Sequence, residues 1–449
     1  MIVLSLQSGT SADGIDVAVV DLVRSTGSRE HSRPDVRMTP RFATTVAWAP
    51  ELRAQILAVA AGEPQAAGEW TRLTTGIGQA FADAAARGIR ESGTTPDLIV
   101  SHGQTVFHWV EGAHARGTLQ LGEPAWIAER TGVPVLSDLR AADIAAGGEG
   151  APLMAFFDRA WLGAAARASR RAVATVNLGG IANVQLVGAD GEVSAFDSGP
   201  GNCLIDAVVD RHSGGEHGYD EDGRLAAAGR VHKALLDELL RHPYLAAPAP
   251  KSTGRETFGL DVVDRAVVAS GAFDLSIDDL VATLTEFTAR TVVEALADAA
   301  PDAPAALVCS GGGALNPVLL ERLEALASAR GIAVESSAAR GIDPAFKESL
   351  MFALLGFCSW HGVPVALQTA RADSAPPRVL GRLTPGRVPL QVPAPLAGVA
   401  SVTVEPSAER IDHSGRTDRT DRTDRTERTD RAEHRAERTI ARTTGGEPR

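Results

Sequence analysis

Apolar residues along the chain fall into short runs that end at glycine-rich turns. Ile2–Leu6, Ala172–Val176 and Ala306–Cys309 are rich in Val, Ile and other small apolar residues, which favours strands. A second apolar run follows the first two of these turns, at Ile15–Leu22 and Ile181–Val187. Each of these two pairs therefore predicts a β-hairpin.

The third turn leads into a helix instead. Val318, Leu319, Leu323 and Leu326 recur at helical spacing, and Asn316-Pro317 supplies an N-cap and a first-turn proline. The pattern also predicts a strand at Asp97–Val100, a strand from Glu192, and helices at Leu52–Ala60, Trp70–Arg90, Ile277–Ala299 and Glu348–Trp360. This mixture indicates an α/β protein. The similar hairpins near residues 9 and 179 indicate two related halves with a cleft between them.

The C-terminal region does not follow this pattern. From Arg416 the triplet Arg-Thr-Asp repeats, with almost no apolar residue. Such a segment buries too little surface to offset its ordering entropy, so we expect residues 397–449 to be a mostly disordered tail. A charged single helix or an interaction segment remains the alternative.

Charge divides the chain in the same way. The formal net charge is −12 over 449 residues, and the segment 409–449, with 11 Arg and 10 acidic residues, is near neutral. The acidic body disfavours binding to nucleic acid or to an anionic membrane. Any phosphate must then be held locally, by backbone N–H groups or through a metal.

Cysteine content and hydropathy indicate the cellular compartment. The three cysteines, Cys203, Cys309 and Cys358, are too few and too scattered for a disulfide framework or a zinc site. The N-terminus has no basic region before its apolar stretch, and no apolar run is long enough to span a membrane. We therefore expect a cytoplasmic protein.

The glycine turns are the first candidates for chemistry. The turn at 9–16 combines hydroxyls and carboxylates with glycine, so its N–H groups could hold phosphate and an aspartate could hold hydrated Mg²⁺. Asn177-Leu178-Gly179-Gly180 is a second phosphate candidate, and Gly311-Gly312-Gly313 before a helix suits a nucleotide. Each turn alone could be an ordinary tight connection. No G-x-x-x-x-G-K-[ST] motif is present.

Polar residues at predicted strand ends are the second group. Asp197 precedes Ser-Gly-Pro-Gly and could be a general base at a cleft, or could cap the turn. Ser101-His102-Gly103-Gln104-Thr105 offers neutral hydrogen-bonding groups for a ligand, although a lone histidine at a turn is more often structural. Arg140 could pair with Asp143 or reach a ligand. Lys251, one of only three lysines, could contact phosphate or lie in a solvated loop.

Taken together, these segments resemble the anhydro-N-acetylmuramic acid kinase family over about residues 1–388. The matching stretches are SGTSADGIDVAVVDL (8–22), SHGQTVFH (101–108), TLQLGEPAWIAERTGVPVLSDLRAADIAAGGEGAPL (118–153), NLGGIANV (177–184), FDSGPGNCLIDA (196–207), YDEDGRLAAAGRV (219–231), PKSTGRETF (250–258), SGGGALNP (310–317) and VLGRLTPG (379–386). The motifs are long, ordered and numerous. The tail lies outside the resemblance.

The resemblance implies a two-domain actin-like ATPase fold, with ribonuclease-H-like halves around a central cleft. It divides the chain into an N-terminal domain at 1–165, a C-terminal domain at 166–396 and the tail at 397–449. It implies that the enzyme opens 1,6-anhydro-N-acetylmuramic acid with water and phosphorylates O6, using ATP and Mg²⁺, in peptidoglycan recycling. A homodimer is also expected. A non-catalytic ATP-binding regulatory protein of the same fold is the alternative.

The resemblance also assigns roles to individual residues. Asp197 matches the catalytic aspartate, and Asp13 and Asp16 would hold Mg²⁺, directly or through water. The expected ATP-binding residues are Gly9, Thr10, Ser11, Ala12, Asp13, Gly14, Ile15, Asp16, Asn177, Gly179, Gly180, Gly311, Gly312 and Gly313. The expected sugar-binding residues are His102, Gln104, Thr105 and Glu348. The chain departs from the family at Glu149, at Asp158 and over 369–376.

Overall fold

The computed structural model describes residues 1–25, 33–112, 114–254, 256–300, 302–367 and 376–406. Its strands are β1 Ile2–Ser8, β2 Ile15–Arg24, β3 Asp35–Val46, β4 Leu98–Glu111, β5 His114–Leu121, β6 Val135–Ser137, β7 Val173–Leu178, β8 Ile181–Val187, β9 Val193–Pro200, β10 Ala306–Ser310, β11 Ala333–Ser336, β12 Arg382–Thr384 and β13 Ser401–Val404. The repeats from Arg416 and most of segment 369–376 lie outside these ranges.

The helices occupy the connections between these strands and cover the faces of the sheets. They are α1 Pro50–Ala60, α2 Ala67–Ser92, α3 Pro124–Thr131, α4 Ala141–Ala145, α5 Met154–Ser169, α6 Cys203–Ser213, α7 Arg224–Ala228, α8 Lys233–Leu239, α9 Leu260–Ser270, α10 Ile277–Ala299, α11 Pro317–Ser328 and α12 Lys347–Trp360. Short 3₁₀ turns lie at Glu221–Gly223, Pro243–Ala246, Gly312–Leu315 and Ser337–Arg340. Within the described residues, no helix is long and apolar enough to cross a membrane.

The strands form two sheets with one common plan. The first has the order β12-β6-β4-β1-β2-β3-β13, with β5 paired to β4, and the second has the order β11-β10-β7-β8-β9. In each sheet an antiparallel three-strand meander, β1-β2-β3 or β7-β8-β9, is extended by two parallel strands, β4 and β6 or β10 and β11. This shared topology confirms the α/β fold class and the two related halves.

Helices α5 and α12 pack between the sheets. Helix α12 contacts β1, β2 and β4 of the first sheet, and α5 contacts β7, β8 and β9 of the second. One continuous apolar core therefore includes Val3 and Val100 from the first sheet together with Val173 and Val308 from the second. Because α5 and α12 contact each other, and α5 also contacts β13 of the first sheet, this packing couples the halves.

Most predicted elements are confirmed, with boundaries shifted by a few residues. Both hairpins, the strand at Ala306–Ser310, the helix from Pro317 and the four other predicted helices are present. The prediction of a strand end at 101–105 is wrong, because β4 continues to Glu111. Asp197 likewise lies inside β9 rather than at its end.

The C-terminal part of the described chain returns to the first sheet. Strand β12 pairs with β6, and β13 pairs in parallel with β3 through Ser401–Val404 and Asp35–Met38. The structure differs here from the expectation of a tail starting at residue 397, because 401–404 gain backbone hydrogen bonds from the sheet edge. The remainder of that segment, from residue 407, lies outside the described residues.

Candidate active site

A cleft of about 930 Å³ lies between the two sheets. All three glycine turns contribute to its wall, through Gly9, Gly179 and Gly311. The predicted residues that line it are Gly9, Thr10, Ser11, Asp13, Gly14, Asp16, His102, Thr105, Asn177, Gly179, Gly180, Gly311, Gly312, Gly313 and Glu348. Elements far apart in sequence therefore meet at one cavity.

Four predicted site residues do not line this cavity. Ala12 and Ile15 are buried beneath the first turn, where they pack in the apolar core. Gln104 is completely buried and its Nε2 donates to the carbonyl oxygen of Gly9 at 3.0 Å. Asp197 lies behind Asn183, which does line the cavity.

Side chains hold the first turn in place. The N–H of Ala12 donates to the carbonyl of Gly9 at 3.0 Å, and Ala12 adopts a φ of 49°. Arg53 Nε donates to the carbonyl of Ala12 at 2.9 Å, while Gln104 holds Gly9 from the other side. In the described structure the N–H groups of Thr10, Ser11 and Asp13 have no backbone acceptor, so they can bind a ligand with acceptor oxygens.

Asp13 is the more exposed carboxylate of this turn. Ser11 Oγ donates to its Oδ2 at 2.6 Å, and an Arg53 nitrogen lies 3.6 Å from Oδ1. Both partners of this ion pair are more than two-fifths exposed, so solvent weakens their attraction. Asp13 can therefore give up its contact with Arg53 and bind a ligand instead.

Asp16 is buried at the base of the cleft. Its Oδ2 accepts a hydrogen bond from Gln7 Nε2 at 2.9 Å, and Oδ1 accepts one from Thr45 Oγ1 at 2.6 Å. No group of three or more His, Cys, Asp or Glu side chains is placed to hold a metal within the described ranges. Magnesium commonly uses one or two carboxylates and keeps several waters, so the donor set at Asp16 fits this ion.

The backbone holds the second turn. Gly179 accepts from the N–H of Asn202 at 2.8 Å, and Gly180 accepts from Gly201 and Cys203 at 2.9 and 3.1 Å. A Cβ on Gly201 would lie 2.2 Å from the carbonyl oxygen of Gly179. Only glycine at position 201 permits this approach.

The third turn packs directly on the second. Gly311 has a φ of 84°, and a Cβ there would lie 2.3 Å from Asn177 Oδ1. Its N–H donates to the carbonyl of Pro344 at 2.9 Å. Asn316 then caps α11 by accepting from Val318 N at 3.0 Å.

A polar wall faces the turns from β4 and the loop before α4. His102 Nε2 lies 3.3 Å from Arg140 Nη2, and a guanidinium can only donate, so Nε2 is the acceptor and Nδ1 carries the proton. Burial, helped by Arg140, holds the pKa of His102 well below its usual range. The buried Nδ1 has no hydrogen-bond partner in the described structure.

Arg140 does not pair with Asp143: its Nη1 donates to the carbonyl of Gly150 at 2.7 Å.

Glu348 is the second residue of α12 and faces the cleft. Its side chain has surface that solvent in the cleft can reach. Protein atoms nevertheless surround the carboxylate within the cleft. Burial and then the nearby Asp16 raise the pKa of Glu348, against the opposing effects of Arg140, Lys347 and a hydrogen bond from Gln7. The cleft therefore holds two neighbouring acidic side chains at its base.

Asp197 is held on both carboxylate oxygens. Asn183 Nδ2 donates to Oδ1 at 2.8 Å, and the N–H of Thr253 donates to Oδ2 at 2.9 Å. Burial raises the pKa of Asp197, and these two hydrogen bonds partly oppose it. A half-buried carboxylate with a raised pKa is suited to accept a proton near neutral pH.

Sequence reasoning missed several residues of this wall. Gln7, Thr45 and Asn183 orient carboxylates, and Lys347 forms an ion pair with the fully buried Asp158 at 2.8 Å. No local motif marks Gln7 or Thr45, because their partner Asp16 lies on a neighbouring strand, whereas Asn183 lies within the quoted stretch 177–184 but received no role of its own. The rarity of lysine was a usable signal for Lys347.

Two other residues named from the sequence have structural contacts. Lys251 Nζ donates to the carbonyls of Tyr244 and Leu245 at 3.3 and 3.0 Å, and Lys251 does not line the cleft. Glu149 accepts a hydrogen bond from the N–H of Ala115 at 2.6 Å. These contacts fix loops beside the cleft.

The site defines a class of protein: an α/β enzyme whose cleft combines three glycine turns with a polar wall and acidic side chains. The family model for anhydro-N-acetylmuramic acid kinase matches residues 1–386. The chain belongs to this family.

Comparisons with individual proteins agree. An anhydro-N-acetylmuramic acid kinase of Streptomyces coelicolor is 46% identical over 400 residues, covering 88% of this chain and 96% of the relative. One from Rhodococcus erythropolis is 43% identical over 91% of this chain and 98% of its own length. Among solved structures, an activator of 2-hydroxyisocaproyl-CoA dehydratase from Clostridium difficile with bound ADPNP is 11% identical, with a TM-score of 0.35, covering 80% of this chain and 94% of that chain. A likeness this loose carries no argument about the reaction.

Proposed function

We propose that the protein is a phosphotransferase that opens 1,6-anhydro-N-acetylmuramic acid with water and phosphorylates the released O6. ATP is the phosphoryl donor, and N-acetylmuramic acid 6-phosphate is the product, within peptidoglycan recycling. The observation that carries the proposal is that three glycine turns, His102, Thr105 and Glu348 line one cleft. Because ATP is the donor, the cytoplasm is the proposed location.

Phosphoryl transfer depends mainly on positioning and on neutralisation of charge. The turns containing Gly9 and Gly179 would bind the phosphates through backbone N–H groups, and the turn at Gly311 would lie on the nucleoside side. Asp16 and, more loosely, Asp13 would hold Mg²⁺, in part through water. This ion reduces the charge on the phosphates when bound.

His102, Thr105 and Glu348 would bind the amino sugar from the opposite wall. Nε2 of His102 already accepts from Arg140 and Nδ1 is buried, so a small displacement of the ring or of Arg140 would free a nitrogen for a sugar hydroxyl. Gln104 is excluded from the wall by burial and acts on the first turn instead.

Asp197 would act as the general base. It would accept a proton from the water that attacks the anomeric carbon, while the bond from that carbon to O6 breaks. O6 would then attack the γ-phosphorus, and the bond to the bridging oxygen of ADP would break. Asn183 lies between Asp197 and the cavity, so a small displacement of this amide would admit the water.

The variant Asp197→Asn tests this assignment. We expect turnover to fall by about 10³- to 10⁴-fold, because an amide cannot accept the proton. ATP affinity, measured by calorimetry, should change little. In H₂¹⁸O the wild-type product should gain one ¹⁸O on the sugar and none on the phosphate, as read by mass spectrometry.

Asp190→Asn is the matched control, since Asp190 lies in an exposed loop next to the same strand. It should retain wild-type turnover. Substantial turnover by Asp197→Asn would remove this residue from the base role. Nucleotide binding by the wild type without any sugar phosphate would favour the non-catalytic regulatory protein.

A further inference from the structure

We propose that the segment 243–253 is a positioning element for Asp197, held in place by Tyr244 and Lys251. The inference rests on the proposed function, because Asp197 is the general base there. Neither Tyr244 nor Lys251 lines the cleft, so both would act through Asp197 rather than by touching substrate.

The location of Asp197 in the sheet explains why it needs such support. Strand β9 is an edge strand of the second sheet, so its outer backbone groups have no strand partner among the described residues. At Asp197, the segment 243–253 supplies the hydrogen bonds that a neighbouring strand would otherwise make. The N–H of Asp197 donates to the carbonyl of Lys251 at 2.9 Å, and the hydroxyl of Tyr244 donates to the carbonyl of Asp197 at 2.8 Å.

The same segment also reaches the carboxylate. The N–H of Thr253 donates to Oδ2 of Asp197 at 2.9 Å. Three hydrogen bonds from one short segment thus hold the N–H, the carbonyl and the carboxylate of a single residue. This arrangement restricts the rotation of the carboxylate about its side-chain bonds and fixes which lone pairs remain for water.

Lys251 closes the segment on itself. Its ammonium donates to the carbonyls of Tyr244 and Leu245 and lies 4.8 Å from the centre of the Tyr244 ring. It therefore ties the end of the segment, which carries Thr253, to the short 3₁₀ turn Pro243–Ala246, which carries Tyr244. A cation that bridges two parts of one loop reduces the freedom of that loop.

The chemical consequence concerns the ionised form of the base. Burial raises the pKa of Asp197, and the Thr253 N–H opposes that rise by donating to the carboxylate. If the segment loosens, the Thr253 donor moves away while the burial remains. The pKa of Asp197 then rises further, and a larger fraction of the enzyme is protonated and inactive at low pH.

Lys251→Met and Tyr244→Phe separate the two halves of this element. Lys251→Met keeps the stem and removes the ammonium, and Tyr244→Phe keeps the ring and removes the hydroxyl. We expect kcat to fall by about five- to tenfold in each, with the KM for ATP nearly unchanged. For Lys251→Met, the acid limb of the kcat/KM profile should move up by about half to one pH unit.

Lys233→Met is the matched control, because Lys233 is 85% exposed and pairs only with the exposed Asp237 in the described contacts. This variant should leave kcat, kcat/KM and the pH profile of kcat/KM unchanged. Lys251→Arg, which keeps the cation, should recover most of the lost kcat. A fall in melting temperature without a shift of the acid limb would reduce the segment to a structural role and overturn the proposal.

A readout that needs no turnover separates this inference from the proposed function. Carboxyl ¹³C resonances of labelled aspartate, with that of Asp197 assigned by its loss in Asp197→Asn, report the pKa directly. An upward shift in Lys251→Met and none in Lys233→Met supports the positioning role even if the wild type phosphorylates a different sugar. An unchanged Asp197 titration in both Lys251→Met and Tyr244→Phe overturns it.

Discussion

The two hairpin turns that face the cleft occupy equivalent places in the two sheets, yet they are held by different means. The first, between β1 and β2, is held by the side chains of Gln104 and Arg53, which reach its carbonyls from neighbouring elements. The second, between β7 and β8, is held by backbone N–H groups from Gly201 to Cys203. The first turn can shift when those side chains move, whereas the second relies mainly on backbone hydrogen bonds, with a longer side-chain contact from Asn202 Nδ2 to the carbonyl of Leu178 at 3.4 Å.

This difference indicates separate tasks for the two turns. Thr10, Ser11 and Asp13 of the first turn line the cleft, and under the proposed function their contacts would form and break with each nucleotide. The second turn packs against Gly311 and so joins two binding turns in one rigid unit. The turn at Gly179 would therefore keep its position, and the turn at Gly9 would adjust when a nucleotide binds.

The sharpest test substitutes one glycine associated with each turn. In Gly201→Ala, the new Cβ would lie 2.2 Å from the Gly179 oxygen, so the second turn must move. We expect kcat/KM to fall on the order of a hundredfold or more, because small displacements of positioning groups have effects of that size. The melting temperature should fall as well.

Gly9→Ala is the counterpart in the first turn. The nearest atom to its new Cβ is Ser11 Oγ at 3.8 Å, which is ordinary contact. We expect a loss of about tenfold or less in kcat/KM, since the turn can adjust. Equal losses in the two variants would refute the contrast between the turns.

Gln104→Leu tests the side-chain support with an intermediate effect. Leucine has a similar volume but leaves the Gly9 carbonyl without its buried donor. The KM for ATP should rise about three- to tenfold, with the KM for the sugar unchanged. A rise confined to the sugar KM would instead restore Gln104 as a sugar contact, as the family resemblance implied.

The smallest effect is expected at Arg53. Arg53→Met removes the exposed ion pair with Asp13 and the donor to the Ala12 carbonyl. We expect a change in the KM for ATP of less than about threefold, because exposed ion pairs contribute little. At high salt, the difference in the KM for ATP between the wild type and Arg53→Met should become smaller still.

Sequence patterns predicted the strands and helices well, but they predicted poorly which residues contact one another in the fold. Apolar runs located both hairpins and the helix from Pro317, because their periodicity is local. The polar segment Ser101–Thr105 was mistaken for a strand end, since polar residues usually mark turns. In the fold Ser101, His102 and Gln104 are buried in mid-strand, where the ring of His102 stacks on that of Phe352 in α12 with centroids 4.6 Å apart.

The family motifs found the cleft residues but not how they are arranged. Ala12, Ile15 and Gln104 belong to matching stretches, yet burial removes them from the cavity wall. The contacts of Lys251 and Thr253 with Tyr244 and Asp197 join segments separated by up to 56 residues. Such pairings depend on the tertiary fold, and one sequence without relatives does not encode them visibly.

The position of α12 along the chain has a consequence for biosynthesis. Strands β1 to β6 leave the ribosome about two hundred residues before the helix that covers their inner face. Val3 and Val100 therefore lack the cover of α12 until residues 347–360 have been synthesised. We expect a fragment that stops before residue 347 to expose this apolar face and to aggregate more readily than the whole chain.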